Sequence, residues 1–95
     1  MKAVVVYTMD GCPHCSHIKE EFKKNNIPFI ERDIDKYEKE YDEFVEVVGN
    51  DYVPALMLVT LDENQEPYNV ELLAPERDYN EIYEGVDLVK KYLLD

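Results

Sequence analysis

Ala3-Val4-Val5-Val6-Tyr7, the short turn Thr8-Met9-Asp10-Gly11, and then Cys12-Pro13-His14-Cys15 leading into an amphipathic run decide the fold. An unbroken apolar run of five bounded by a turn suits a buried strand. From Pro13 to about Asn25 the spacing of Cys15, Ile18 and Phe22 predicts a helix with one apolar face. Pro13 fits its first turn, because proline lacks only an N–H that would have no partner there and its φ is already helical. Cys12 therefore stands at a helix N-terminus, where unpaired N–H groups and the helix dipole favour a thiolate. Cys15 follows one turn later on the same side, close enough to attack a mixed disulfide formed on Cys12. The four residues read as a dithiol redox centre.

Composition narrows that reading. The 95 residues, 45% of them hydrophobic, suit one domain over residues 1–95 with one modest core. Only two cysteines occur. A disulfide between them closes a very small loop, and stabilisation by a cross-link falls with loop size, so chemistry is the better reason for the pair. Met1-Lys2 leads directly into strand-like residues without a segment of signal-peptide form, and no run reaches transmembrane length, so the expected location is cytoplasmic, with no membrane partner. In that compartment a close cysteine pair is more often catalytic or metal-binding than structural. Ten basic residues against 22 acidic ones give a formal charge of −12, which repels phosphate backbones and anionic lipid and excludes nucleic acid as an expected partner. The acidic run Glu31 to Glu46 reads as a solvated face.

Further along, Pro28 to Ile34 suits a second strand. Asp35 with Glu38 resembles a capping box, Tyr37, Tyr41, Phe44 and Val48 recur at helical spacing, and Gly49 closes the segment as a C-terminal cap. Ala55 to Leu61, apolar on both faces, predicts a central strand joined through the polar turn Asp62 to Glu66 to Tyr68–Leu73 as an antiparallel hairpin. Ile82, Val86, Val89 and Leu93 predict a last helix, with Gly85 leaving its start near Asp78 or near Asp87.

The order βαβαββα with Cys-x-x-Cys at the first strand-to-helix turn resembles a glutaredoxin. Tyr7 to Cys15 matches that family's active-site segment, Asn26-Ile27-Pro28-Phe29 the lead into its second strand, and Tyr52-Val53-Pro54 its Thr-Val-Pro position. The resemblance implies an α/β thioredoxin fold, a four-stranded mixed sheet flanked by three helices. It also implies a thiol–disulfide oxidoreductase, with Cys12 as nucleophile, Cys15 as resolving thiol, and a cis Val53–Pro54 bond whose backbone, with Tyr52, meets an extended substrate. Glutathione is the implied co-substrate, with no bound cofactor, and Gly85 and Asp87 are implied to hold its γ-glutamyl end. Three positions depart from the family pattern: Met9 replaces a cation, Tyr52 a threonine, and Glu84 the first glycine of a pair. These predict a weakened glutathione site and make a thioredoxin reductase the alternative electron source for a monomer acting on protein disulfides.

His14 bears on redox poise. An imidazole beside Cys12 favours the thiolate, and Asp10 opposes it; unit charges 7 Å apart interact by about 0.6 kcal/mol in bulk water, comparable to a helix terminus. The alternative is that His14 is an ordinary exposed helix residue. A rival class is a metal or iron–sulfur carrier using Cys12, His14, Cys15 and His17, although on one helix start the two histidines project away from the cysteine side.

Overall fold

The computed structural model describes residues 1–94. The chain runs β1 (Lys2–Thr8), α1 (Pro13–Lys24), β2 (Ile30–Asp33), α2 (Glu38–Val48), β3 (Ala55–Leu61), β4 (Pro67–Leu73) and α3 (Ile82–Leu94). The strands form one sheet in the order β2-β1-β3-β4, with β1 and β2 parallel and the β1–β3 and β3–β4 pairs antiparallel. The expected element order and mixed four-stranded sheet are thus present. β1 and β3 occupy the middle, which is why both are apolar on both faces and lack the polar alternation of an edge strand. The outer strand β4 is mostly exposed.

Alternation along β1 feeds two cores. Val4 and Val6 point to the side of α1 and α3, packing with Ile18, Phe22, Leu56, Leu58, Val86 and Val89. Val5 and Tyr7 point to the opposite side, where Tyr41, Phe44 and Val48 of α2 cover them. Each fully buried aliphatic or aromatic side chain contributes about 1.5–3 kcal/mol relative to exposure, so Ile18 and Phe22 anchor α1 against the sheet. Among the described residues no helix is long and apolar enough to cross a membrane.

Several boundaries differ from expectation. β2 begins at Ile30 and not at Pro28, because the chain leaving α1 is still tied to it: the Ile27 amide donates to the Phe22 carbonyl at 2.8 Å, and Phe29 packs on Phe22. The Asp35–Glu38 capping box does not form. The Asp33 carboxylate instead accepts the Asp35 amide at 2.8 Å, the Asp33 carbonyl accepts the amides of Lys36 and Tyr37, and α2 starts after Tyr37 with no side-chain cap. Gly49 does close α2, in the left-handed conformation at φ 87° that glycine adopts without steric cost. α3 starts at Ile82, at neither expected position. The Glu84 carboxylate accepts the amides of Asn80 and Glu81 at 3.1 and 2.8 Å, satisfying donors that the helix leaves unpaired.

Candidate active site: the Cys12–Cys15 pair

The central strand β1 ends near the head of α1, and the turn after Thr8 redirects the chain so that Cys12 becomes the N-cap of that helix. Cys12 has extended backbone angles, φ −96° and ψ 103°, and its Sγ accepts the amide of Cys15 at 3.1 Å. A side-chain acceptor aimed at a first-turn amide is the normal geometry of an N-cap, here supplied by sulfur. The two cysteines are joined as a disulfide with their Cα atoms 5.3 Å apart. They are not equivalent. Cys12 is half-buried, whereas Cys15 is only 2% exposed, on the face of α1 that also buries Ile18 and Phe22.

Two hollows flank the pair. The first, of about 420 Å³, is lined by Cys12, Cys15, Met9, Asp10, Lys19 and Asp33 among others. In its lining Glu31 accepts hydrogen bonds from Lys19 Nζ and Thr8 Oγ1, both at 2.8 Å. The Lys19 ammonium, followed by the Thr8 hydroxyl, holds the Glu31 carboxyl below the usual carboxylate range. The second hollow, of about 240 Å³, lies between α1 and the loops before β3 and α3, and brings His14 and His17 together with Val53, Pro54, Tyr79 and Tyr83. His17 Nε2 stands 3.8 Å from a Glu21 carboxylate oxygen.

The Val53–Pro54 bond is cis, as the resemblance implied. Three contacts fix the loop that carries it. Asn50 accepts the Tyr52 amide at 3.2 Å and donates to the Pro75 carbonyl at 3.1 Å. Tyr79, buried at 4% exposure, donates its hydroxyl to the Pro54 carbonyl. Burial pushes the Tyr79 phenol up, with the nearby Asp78 carboxylate adding to the effect. Tyr79 was not expected in the site; its only signal was an aromatic residue in a polar stretch, six residues ahead of a glycine. That glycine explains it. A Cβ on Gly85 would lie 3.2 Å from two carbons of the Tyr79 ring, so the bare backbone of α3 forms the seat of the ring.

The other expected residues are placed as follows. Cys12 and Cys15 share the first hollow, and His14, Val53 and Pro54 the second. Tyr52 is half exposed on the loop beside them. Gly85 and Asp87, expected at the approach to the last helix, lie inside α3 instead. Gly85 is buried beneath Tyr79, and Asp87 faces a surface hollow with Asp78, Tyr83 and Lys91, so neither lines the hollows beside the cysteines. Glu84 caps α3. With both cysteines in one hollow and both histidines in the other, the donor set of a single metal centre is divided between two sides of α1.

A four-stranded mixed sheet with Cys-x-x-Cys at the head of the first helix defines a thioredoxin-fold dithiol protein. The glutaredoxin family model matches residues 4–59, from β1 to the middle of β3, and the chain belongs to the glutaredoxin family. That family's general activity is thiol–disulfide exchange, on protein disulfides and with glutathione. Among solved structures the chain is similar to the thioredoxin-like protein BC3987 and to a single-residue mutant of it. Their identities are 21% and 20%, both with a TM-score of 0.58 and with 90% of this chain and 97% of theirs covered, a likeness of fold. No curated protein sequence matches.

Proposed function

We propose that the chain is a dithiol oxidoreductase that reduces protein disulfides, or mixed disulfides with glutathione, through Cys12-Pro13-His14-Cys15. The observation that carries the reading is the inequality of the two sulfurs: Cys12 is accessible at the helix N-cap with an amide pointed at it, and Cys15 is buried behind it. In the reduced protein that amide and the helix dipole favour the Cys12 thiolate. The thiolate attacks one sulfur of the substrate disulfide, forming a Cys12–substrate bond and releasing the other substrate sulfur as a thiolate, which takes up a proton. Cys15 then loses its proton and attacks Cys12 Sγ, so that the second substrate thiol departs and the protein holds the intramolecular disulfide, oxidised by two electrons.

The extended segment of the substrate rests on the backbone at Val53 and Pro54, with Tyr52 at its edge, and His14 adjusts the stability of the thiolate. No bound cofactor is required, and the protein acts as a monomer. Two electrons must return the disulfide to a dithiol, from glutathione or from a thioredoxin reductase. Met9, in place of a cation beside the dithiol, favours the second source. The test is turnover of a disulfide-bonded peptide with glutathione and glutathione reductase against NADPH and thioredoxin reductase. Turnover with either system that is lost in Cys12→Ser supports the reading. Turnover with neither, or turnover that survives Cys12→Ser, contradicts it.

A further inference from the structure

The charge pattern around the two hollows restricts which disulfides fit, on the reading that Cys12 and Cys15 carry out exchange. Val53, Pro54 and Ile82 give the second hollow apolar lining, and Tyr83, 66% exposed, lines it as well. Glu21 on α1 and Glu81 at the entry to α3 both line it. Asp10 and Asp33 line the first hollow. Among the described residues lining either hollow, Lys19 is the single lysine or arginine, and Glu31 neutralises it at 2.8 Å. The remaining cationic candidates are His14 and His17, and His17 already lies beside Glu21. Asp10, Asp33 and Glu81 have no ion-pair partner among the described residues. The field of a chain with formal charge −12 reinforces this local excess at longer range.

We propose that the docking partner is a disulfide in an extended, basic protein segment. One apolar or aromatic side chain next to its cysteine lies on Val53, Pro54 and Tyr83, and a flanking lysine or arginine reaches Glu21 and Glu81. Acidic segments, and small thiols of net negative charge, are repelled by the same groups. An exposed charge pair about 7 Å apart gives a factor of about 3 in water, and changing the ligand charge from +1 to −1 applies that factor twice, so opposite flanks differ by roughly tenfold. The preference is electrostatic and must weaken as the Debye length contracts from about 30 Å at 0.01 M salt to about 3 Å at 1 M.

The experiment uses two disulfide-bonded peptides identical except that the residues flanking cysteine are arginine in one and glutamate in the other. Reduction by the dithiol protein is followed at low and high ionic strength. The expected result is a kcat/KM roughly tenfold higher for the arginine peptide at low salt, carried mainly by KM, falling towards parity at high salt. Glu21→Gln with Glu81→Gln is expected to remove most of the preference. Equal rates at low salt, or a preference for the glutamate peptide, overturn the inference while leaving the redox function standing. Reduction of neither peptide overturns the redox function, and this inference with it.

Discussion

Tyr79→Phe removes a single oxygen and tests whether the contact behind Pro54 matters. The hydroxyl donates to the Pro54 carbonyl in a region where Tyr79 is 4% exposed and Pro54 is fully buried. Phenylalanine keeps the ring on Gly85 and removes only the donor. A buried acceptor deprived of its partner costs about 1–3 kcal/mol, and the packing that remains places the expected loss near 1–2 kcal/mol. For a domain of this size each kcal/mol shifts Tm by about 4–8 °C, so thermal unfolding should fall by roughly 5–15 °C, and urea unfolding should show a lower midpoint at unchanged m-value. The Pro54 carbonyl belongs to the loop proposed to hold the substrate. The KM for a disulfide peptide should therefore rise several-fold while alkylation of Cys12 by a small neutral reagent is unaffected, a separation that general destabilisation does not produce. Gly85→Ala attacks the same contact from the other side: relief of glycine's helix penalty, about 1 kcal/mol, is set against overpacking of about 1–3 kcal/mol on the ring. A Tyr79→Phe protein as stable as the parent, with unchanged KM, would refute the assignment of Tyr79 as the residue that positions Pro54.

Three further outcomes are expected. Glu84→Ala should lower stability by about 1 kcal/mol in urea unfolding, through loss of the α3 cap; an unchanged urea midpoint would contradict the capping role. Stability should decline as pH rises above about 10: Tyr7, Tyr41 and Tyr79 are all pushed up, chiefly by burial, Tyr41 to about 12. In that range the unfolded chain, whose tyrosines ionise near 10, loses protons that the folded chain retains, so ionisation favours unfolding. Urea midpoints and tyrosinate absorbance between pH 8 and 11, values on the order of that window, check the sign. His14→Tyr should lower the reduction potential by at most about 10–20 mV, since even a full unit charge about 7 Å from the thiolate contributes about 0.6 kcal/mol and 1.4 kcal/mol corresponds to about 30 mV. Equilibration with a glutathione redox buffer reads this shift, and an unchanged potential makes His14 an ordinary exposed helix residue.

The parts of the fold that were legible in the sequence are those set by local chemistry. The valine run of β1, the proline at the first turn of α1, the two-sided apolarity of β3 and the glycine after Val48 each specify one backbone state, and the structure has each of them. The misplaced boundaries were decided by competition between similar side chains. Asp33, Asp35, Glu38 and Glu40 all offer carboxylates near the start of α2, and the one that captures an amide is Asp33, because the chain is still turning out of β2 there. The start of α3 was hidden for a related reason. Gly85 reads locally as a helix breaker, but its lack of a side chain serves Tyr79, a contact six residues away that periodicity does not show. The dithiol was legible because Cys12 and Cys15 are neighbours on one turn. The assembly behind Pro54, built from Asn50, Pro75, Tyr79 and Gly85, depends on the meeting of three chain segments and was not.

Exchange through this centre requires a division of labour between a half-buried Cys12 and a buried Cys15, and the trapped intermediate reads that division out. Reduced Cys15→Ser is mixed with a disulfide-bonded peptide, quenched with acid, digested without reductant, and the adduct located by mass spectrometry. The expected result is a persistent mixed disulfide on Cys12 in this variant, with no corresponding adduct on Cys15 in Cys12→Ser treated in the same way. An adduct of equal yield on Cys15, or a Cys12 that forms none, would contradict it.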